Sequence, residues 1–339
     1  IGKIRIRKAK NLFIAILNFF KTLKLIKTKK IDLIFILNDF FPQIVSYFTF
    51  KLTKIPFIVN YRGNVSFERR LELKNYSLFK REIRLIINRF YDIIEDFTLK
   101  RAKAVICNNY LSKKLLLKNK IKNDRLYVVW RGVNYEKFNP NKFTDDEKSL
   151  LRTKLDLKDD DFILIYVGRL VPKKGIIYLL QAFKEIKREI PKIKLLIIGS
   201  GPLKNELNMY AQNNDLNEVI FLNEQSHDNL PILYAISDIF ILPALSEGLP
   251  NVILEAMASA KPFISTKVGD VPQIFRNAKN NNILIDTQNQ KQIIEGIKYF
   301  YINKEKLSEI GMKNREYILR NISWKNFADS IIRIFKTNQ

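Results

Sequence analysis

The 339-residue chain is poor in the side chains that most often carry metal or nucleophilic chemistry. It has one cysteine, Cys107, and one histidine, His227. A single cysteine excludes an internal disulfide and a thiolate zinc site. A single histidine offers no His-rich metal cage and no ground for arguing a Ser-His-Asp triad. Glycine and proline, at 11 each, are too scarce for a fibrous or linker-rich protein. Long apolar runs are also missing. Asp32, Asn38, Asp39 and Pro42 interrupt residues 31–50, so no transmembrane helix is expected. Nor is a secretory leader: Lys10 is followed by only seven residues before Asn18, with no small-residue cleavage site. The first residue is Ile, which reads as the start of a processed product or a fragment.

What is present is ample core material and an uneven charge. Apolar residues make up 47% of the chain and charged residues 27%, and the length suits two domains. The formal net charge is +25. Residues 1–140 hold 31 Lys/Arg against 10 Asp/Glu, net +21, whereas residues 141–339 hold 28 against 24, net +4. A genome-wide bias toward Lys, Ile and Asn would act on both halves, so the asymmetry points to an anionic partner such as a membrane surface, nucleic acid or a phosphorylated substrate.

From residue 162 the rhythm is apolar strand, loop, amphipathic helix, repeated. Phe162–Val167, Ile193–Ile198, Val219–Leu222, Ile239–Leu242 and Phe263–Ser265 read as strands buried on both faces. Asp32–Leu37, Pro56–Asn60, Ala104–Cys107 and Tyr127–Trp130 repeat the theme in the first half. The fold class is therefore α/β, as two doubly wound Rossmann-like domains. A cleft is expected beyond the carboxyl ends of the two sheets. Turn-forming residues cluster over 131–144, which sets the expected domains at 1–140 and 141–322, with a last helix in 323–339 crossing back to the first domain.

Two segments carry chemistry. In the first, a strand ends at Val167, Gly168-Arg169 begins a turn, and Lys174-Gly175 opens a helix. Arg169 and Lys174 sit at the carboxyl end of the strand and suit phosphate oxygens. Alone, the loop reads more readily as a solvated one with two ordinary cations than as a ligand site. The second is Ser246-Glu247-Gly248-Leu249-Pro250-Asn251-Val252, running into a helix with Glu255. Pro250 suits a first helical turn, and Gly248 lets a ligand approach the backbone. The free amides of about Asn251 to Ile253 form an anion site. Glu255 is set to accept from ribose hydroxyls and Glu247 to reach a sugar hydroxyl. Because Ile253, Leu254, Ala256 and Met257 surround Glu255 in sequence, a free charge there would be costly.

Taken in order, Gly168-Arg169, Lys174-Gly175, Gly199-Ser200-Gly201-Pro202, Asp238–Pro243 and Ser246-Glu247-Gly248 through Glu255-Ala256-Met257 resemble the retaining glycosyltransferases of family 4, which have the GT-B fold. Two glutamates seven residues apart are that family's hallmark, and Arg131-Gly132-Val133-Asn134 resembles its inter-domain Asn-Gly-Val-Asp. The resemblance implies a nucleotide-diphosphate sugar as co-substrate and no other cofactor. Arg169 and Lys174 would hold the diphosphate, Glu255 the ribose and Glu247 the donor sugar, with the amides following Gly248 on phosphate or sugar oxygens. Glu247, Arg169 and Lys174 are thus the expected catalytic set. The acceptor would be a glycan or lipid-linked sugar handled by the first domain.

No metal is expected, since Asp159-Asp160-Asp161 precedes a strand at the wrong end of the sheet. No nucleic acid is expected either, because the phosphate-site motifs lie in the less basic half. The basic first half implies a cytoplasmic enzyme held peripherally on the anionic inner face of a membrane. Arg62 and Gly63 follow a strand where many members have His-Gly, and Arg62 reads as a phosphate or acceptor contact or as a surface cation. The chain departs from the family at Ala260, where Gly is usual, and at Gln273, where Glu is frequent. The family's opening strand and Gly-rich loop are expected to be missing, which keeps a non-catalytic nucleotide-sugar-binding remnant open beside the transferase. A nucleotide-sugar epimerase of similar fold is the other enzyme reading. His227 reads as a surface loop residue.

Overall fold

A computed structural model describes residues 12–29, 31–37, 40–61, 78–278 and 281–338. The chain divides into two compact units, Ile1–Trp130 with Ala328–Gln339, and Arg131–Phe327. The division falls at Trp130/Arg131, where the turn-forming residues begin.

In the first unit, helices α1 (Leu12–Thr28), α2 (Phe40–Thr53), α3 (Leu78–Arg101) and α4 (Tyr110–Lys118) accompany strands β1 (Ile34–Leu37), β2 (Phe57–Tyr61), β3 (Ala104–Cys107) and β4 (Leu126–Val128). The strands form one parallel sheet in the order β1-β2-β3-β4. Ile58 faces Ala104 and Ile106 faces Tyr127 in register. β2 and β3 are buried along their whole length, which is why, Asn60 apart, they read as apolar runs rather than as alternating patterns. Cys107 ends β3 within a core that includes Val59, Tyr61, Leu99 and Leu116. Burial pushes its thiol up to about 12.

The second unit holds β5 (Phe162–Val167), β6 (Ile193–Ile198), β7 (Val219–Leu222), β8 (Ile239–Leu242), β9 (Phe263–Thr266) and β10 (Ile283–Ile285). Its helices are α5 (Asp145–Lys154), α6 (Ile176–Ile186), α7 (Lys204–Asn213), α8 (Leu230–Ala235), α9 (Asn251–Ala258), α10 (Val271–Ala278), α11 (Gln290–Ile302) and α12 (Leu307–Asn321). Helix α13 (Trp324–Thr337) begins in this unit, and its residues from Ala328 onward belong to the first. The six strands are parallel, in the order β10-β9-β8-β5-β6-β7. Winding runs outward from β5 through β6 to β7, then returns to the other side of β5 as β8. The switch point therefore lies between β5 and β8, where doubly wound sheets bind their ligands. Local signals fit this frame. Thr144 and Glu147 form a reciprocal capping box at the start of α5. Asp161 accepts from the Lys158 amide at 2.7 Å, and Asp160 pairs with Lys192.

The departure at Ala260 has a backbone meaning. Helix α9 ends with the Lys261 amide donating to Ala256 O at 2.9 Å and the Ala260 amide to Met257 O at 3.1 Å. That pair of bonds is a Schellman motif, and it puts Ala260 at φ 54°, a conformation that suits glycine. Ala260→Gly should stabilise the protein by about 0.5–1 kcal/mol, the relief of the Cβ penalty less the added freedom of the unfolded chain. Urea denaturation measures it, and an unchanged or lower midpoint would refute the assignment.

Candidate functional site

The two motif loops meet at the switch point. The Lys173 carbonyl accepts from the Leu245 amide at 2.8 Å, so the loop after β5 lies against the loop after β8. Gly175, at φ 64°, is required there, because a Cβ would come within 2.1 Å of Pro243 O. Across this seam the Lys174 ammonium forms an ion pair with the Glu247 carboxylate. The two side chains are only 13% and 15% exposed, so the pair is poorly screened. Asp270 braces the next residue, its amide donating to Gly248 O at 2.8 Å. Arg169 is exposed; its backbone carbonyl accepts from the Tyr166 hydroxyl at 3.2 Å, and its guanidinium makes no ion pair among the described residues. The loops thus present one cation engaged by a carboxylate and one cation directed to solvent.

Pro250 is the N-cap of α9, with Asn251 and Val252 in the first turn. Their amides are among those a helix start leaves without intrahelical partners, whereas the Ile253 amide, also expected to be free, donates to Pro250 O at 3.1 Å in a tightened first turn. One turn on, Glu255 is 6% exposed, and its Oε2 accepts from the Tyr234 hydroxyl at 3.5 Å. Burial pushes the Glu255 carboxyl up to about 7, against the opposing pull of the Tyr234 hydrogen bond and the Lys137 charge. The same hydroxyl lies 3.3 Å from Val252 O.

Glu255 and Asn251 line a hollow of about 300 Å³, the lower end of ligand-pocket sizes. Its other walls come from the connector 131–138, His227 and Trp324. All of these residues belong to the second unit. Arg169, Lys174, Glu247 and Gly248 do not line this hollow. The structure therefore joins Lys174 to Glu247 at the strand ends and Glu255 to Asn251 in the hollow, with the first turn of α9 continuing from one to the other. Arg62 and Gly63 lie outside the described residues.

Three contributors to the hollow were not legible as site residues. His227 is exposed, as its loop suggested, yet it lines the hollow and its ring packs edge-on to Phe138 at 6.2 Å between centroids. Lys137 also lines it and pairs with Asp228 at 2.7 Å. Trp324 comes from the start of α13, nearly 200 residues along the chain from the connector it faces. The Arg131–Asn134 motif was the available signal, since it marks the connector without showing where it folds.

The family model for glycosyl transferases group 1 matches residues 147–317, and the model for glycosyltransferase family 4 matches residues 1–137. The chain belongs to the group 1 glycosyl transferases. The two matches cover both α/β units, and the fold is GT-B. Spore coat protein SA of Bacillus subtilis is 27% identical over 248 residues, which is 70% of this chain and 66% of that protein. The Escherichia coli UDP-Gal:alpha-D-GlcNAc-diphosphoundecaprenol alpha-1,3-galactosyltransferase is 28% identical over 276 residues, 80% of this chain and 64% of that enzyme. The chain thus spans somewhat less than two thirds of these relatives' length. Among solved structures, Anabaena HepE in complex with UDP superposes with a TM-score of 0.77 at 17% identity, covering 96% of this chain and 82% of HepE.

Proposed function

We propose that this group 1 glycosyl transferase moves a sugar from a nucleoside-diphosphate sugar to a glycan or lipid-linked acceptor, with retention of configuration and without a metal ion. The observation that carries the reading is the seam at the β5/β8 switch point. There Lys174 pairs with Glu247 beside the opening turn of α9, and one turn on, Glu255 sits in a hollow at a carboxyl pKa of about 7. An incoming diphosphate competes with Glu247 for Lys174 and gains Arg169 as a second cation. Glu247 is then released toward the donor sugar. The Asn251 and Val252 amides supply anion stabilisation without a metal, and Glu255 accepts from ribose hydroxyls. In the transfer step the C1–O bond to the diphosphate breaks as an acceptor oxygen bonds to C1 on the same face. The acceptor proton passes to the leaving phosphate oxygen, so no separate base is needed. Charge grows on the diphosphate, where the fixed cations and helix amides act.

Transfer of labelled sugar from UDP- or GDP-sugars to a lipid extract tests the activity, and the same assay in EDTA tests metal independence. Any nucleotide that binds at 100 times its Kd should stabilise the fold by about 2.7 kcal/mol. No stabilisation by any nucleotide sugar would remove the reading.

The acceptor side of the proposal is an anionic bilayer surface. No helix among the described residues is long and apolar enough to cross a membrane. Helix α3, however, exposes Ile83, Ile86, Phe90 and Ile93 at helical spacing along one face, within the half that carries net +21. An exposed apolar stripe in a basic half suits an interfacial helix. The protein should float with phosphatidylglycerol liposomes, less so as salt rises. Ile86→Glu/Phe90→Glu should abolish flotation. Equal flotation of the variant, or none by the unaltered protein, would count against this surface.

A further inference from the structure

Helix α12 meets the C-terminal end of α9 at very close range. Gly311 is required at the crossing, since a Cβ there would come within 1.9 Å of Ala260 O. One turn further on, Arg315 reaches out from this crossing. Its Nη1 donates to Tyr135 O at 3.2 Å and Phe138 O at 2.9 Å, and also to Ala258 O. Tyr135 and Phe138 lie in the connector 131–138, and Ala258 is the last residue of α9. Both segments line the 300 Å³ hollow, the connector through Asn134, Lys137 and Phe138 and α9 through Asn251, Leu254 and Glu255. A single nitrogen therefore bridges the walls from behind.

The chemistry favours a cation at this point. The carbonyls of the last helical turn lack intrahelical partners and carry the negative end of the helix dipole. Two further carbonyls from the connector complete an all-acceptor cup that a neutral apolar side chain would leave unsatisfied. Arg315 touches neither the hollow's interior nor the Lys174–Glu247 pair.

We propose that Arg315 is a positioning residue for nucleotide binding, setting the distance between the connector and α9 and so the width of the hollow that Glu255 serves. The inference rests on the reading of that hollow as part of the nucleotide site. It is tested on Arg315→Met, Arg315→Lys and, as a control, Arg320→Met, which removes an exposed cation from the same helix. Two readouts are taken well below the unfolding temperature: calorimetric Kd for UDP and for GDP, and amide hydrogen exchange. Arg315→Met should raise the Kd of whichever nucleotide binds by about tenfold or more. It should speed exchange in 131–138 and 251–258 while leaving β6 unchanged. Arg315→Lys keeps the donors on a shorter side chain and should fall between, and Arg320→Met should match the unaltered protein. If Arg315→Met does not fold, Arg315→Lys is judged by the same pattern. A Kd within about twofold of the unaltered protein, or faster exchange spread evenly over the second unit, would overturn the proposal. If the unaltered protein binds neither nucleotide, the nucleotide reading fails on its own, and unchanged exchange at the two walls would still overturn the positioning role.

Discussion

Lys174→Met should lower sugar transfer by about 10²–10³-fold and lower stability by about 3 kcal/mol, by two separable causes. The first is removal of a fixed cation from the proposed diphosphate site, and losses of that size follow from deleting one preorganised donor. The second is electrostatic abandonment of Glu247. That carboxylate is 15% exposed and pairs with Lys174, so the single substitution leaves a mostly buried charge unpaired. The double variant Lys174→Met/Glu247→Gln removes both charges and should recover most of the stability with none of the transfer. Chemical denaturation and initial-rate kinetics on the two variants separate the effects. Transfer restored in the double variant would show that Lys174 acts only as Glu247's structural partner.

Glu255→Gln should do the opposite, gaining stability while losing nucleotide affinity. Burial raises the Glu255 carboxyl from its ordinary 4.5 to about 7 in the folded protein. A carboxyl raised on folding favours the native state below the unfolded pKa, and that contribution disappears as pH rises through the folded pKa. The unaltered protein therefore forfeits about 3 kcal/mol between pH 4.5 and 7, an order-of-magnitude figure from the shift. The uncharged amide of the Glu255→Gln variant carries no such penalty and still accepts from Tyr234. The variant should equal the unaltered protein near pH 4.5 and exceed it by up to about 3 kcal/mol at pH 8, from the same shift. Urea midpoints across that range measure the gap, and a constant offset with pH would exclude Glu255 as the titrating group. Calorimetry on the same variant should show weaker nucleotide binding, since a carboxylate accepts ribose hydroxyls more strongly than an amide oxygen.

Five strands of the second unit were legible as short apolar runs, most plainly Phe162–Val167 and Ile193–Ile198, which are buried along almost their whole length; β10 (Ile283–Ile285), three residues long and only partly buried, was not. The β5/β8 seam was legible too, because its turn glycine, its cations and its helix-starting proline are local signals. Ala260 was visible as a departure, but only its left-handed backbone explains why glycine is the easier residue there. The hollow was not legible. Trp324, His227 and the connector come from distant stretches, and no local pattern marks which of them fold against α9. Arg315 was hidden for a related reason: its partners are backbone carbonyls, which every sequence has and none advertises.

Cys107 has a practical consequence. It is the chain's sole thiol, fully enclosed on β3 and shifted far toward the protonated form. The native protein should therefore be silent toward maleimide and iodoacetamide, and a cysteine introduced on the surface should become a unique attachment point for a spin label or fluorophore. The same silence makes slow alkylation of Cys107 a clock for opening of the first unit's core, readable by mass alone.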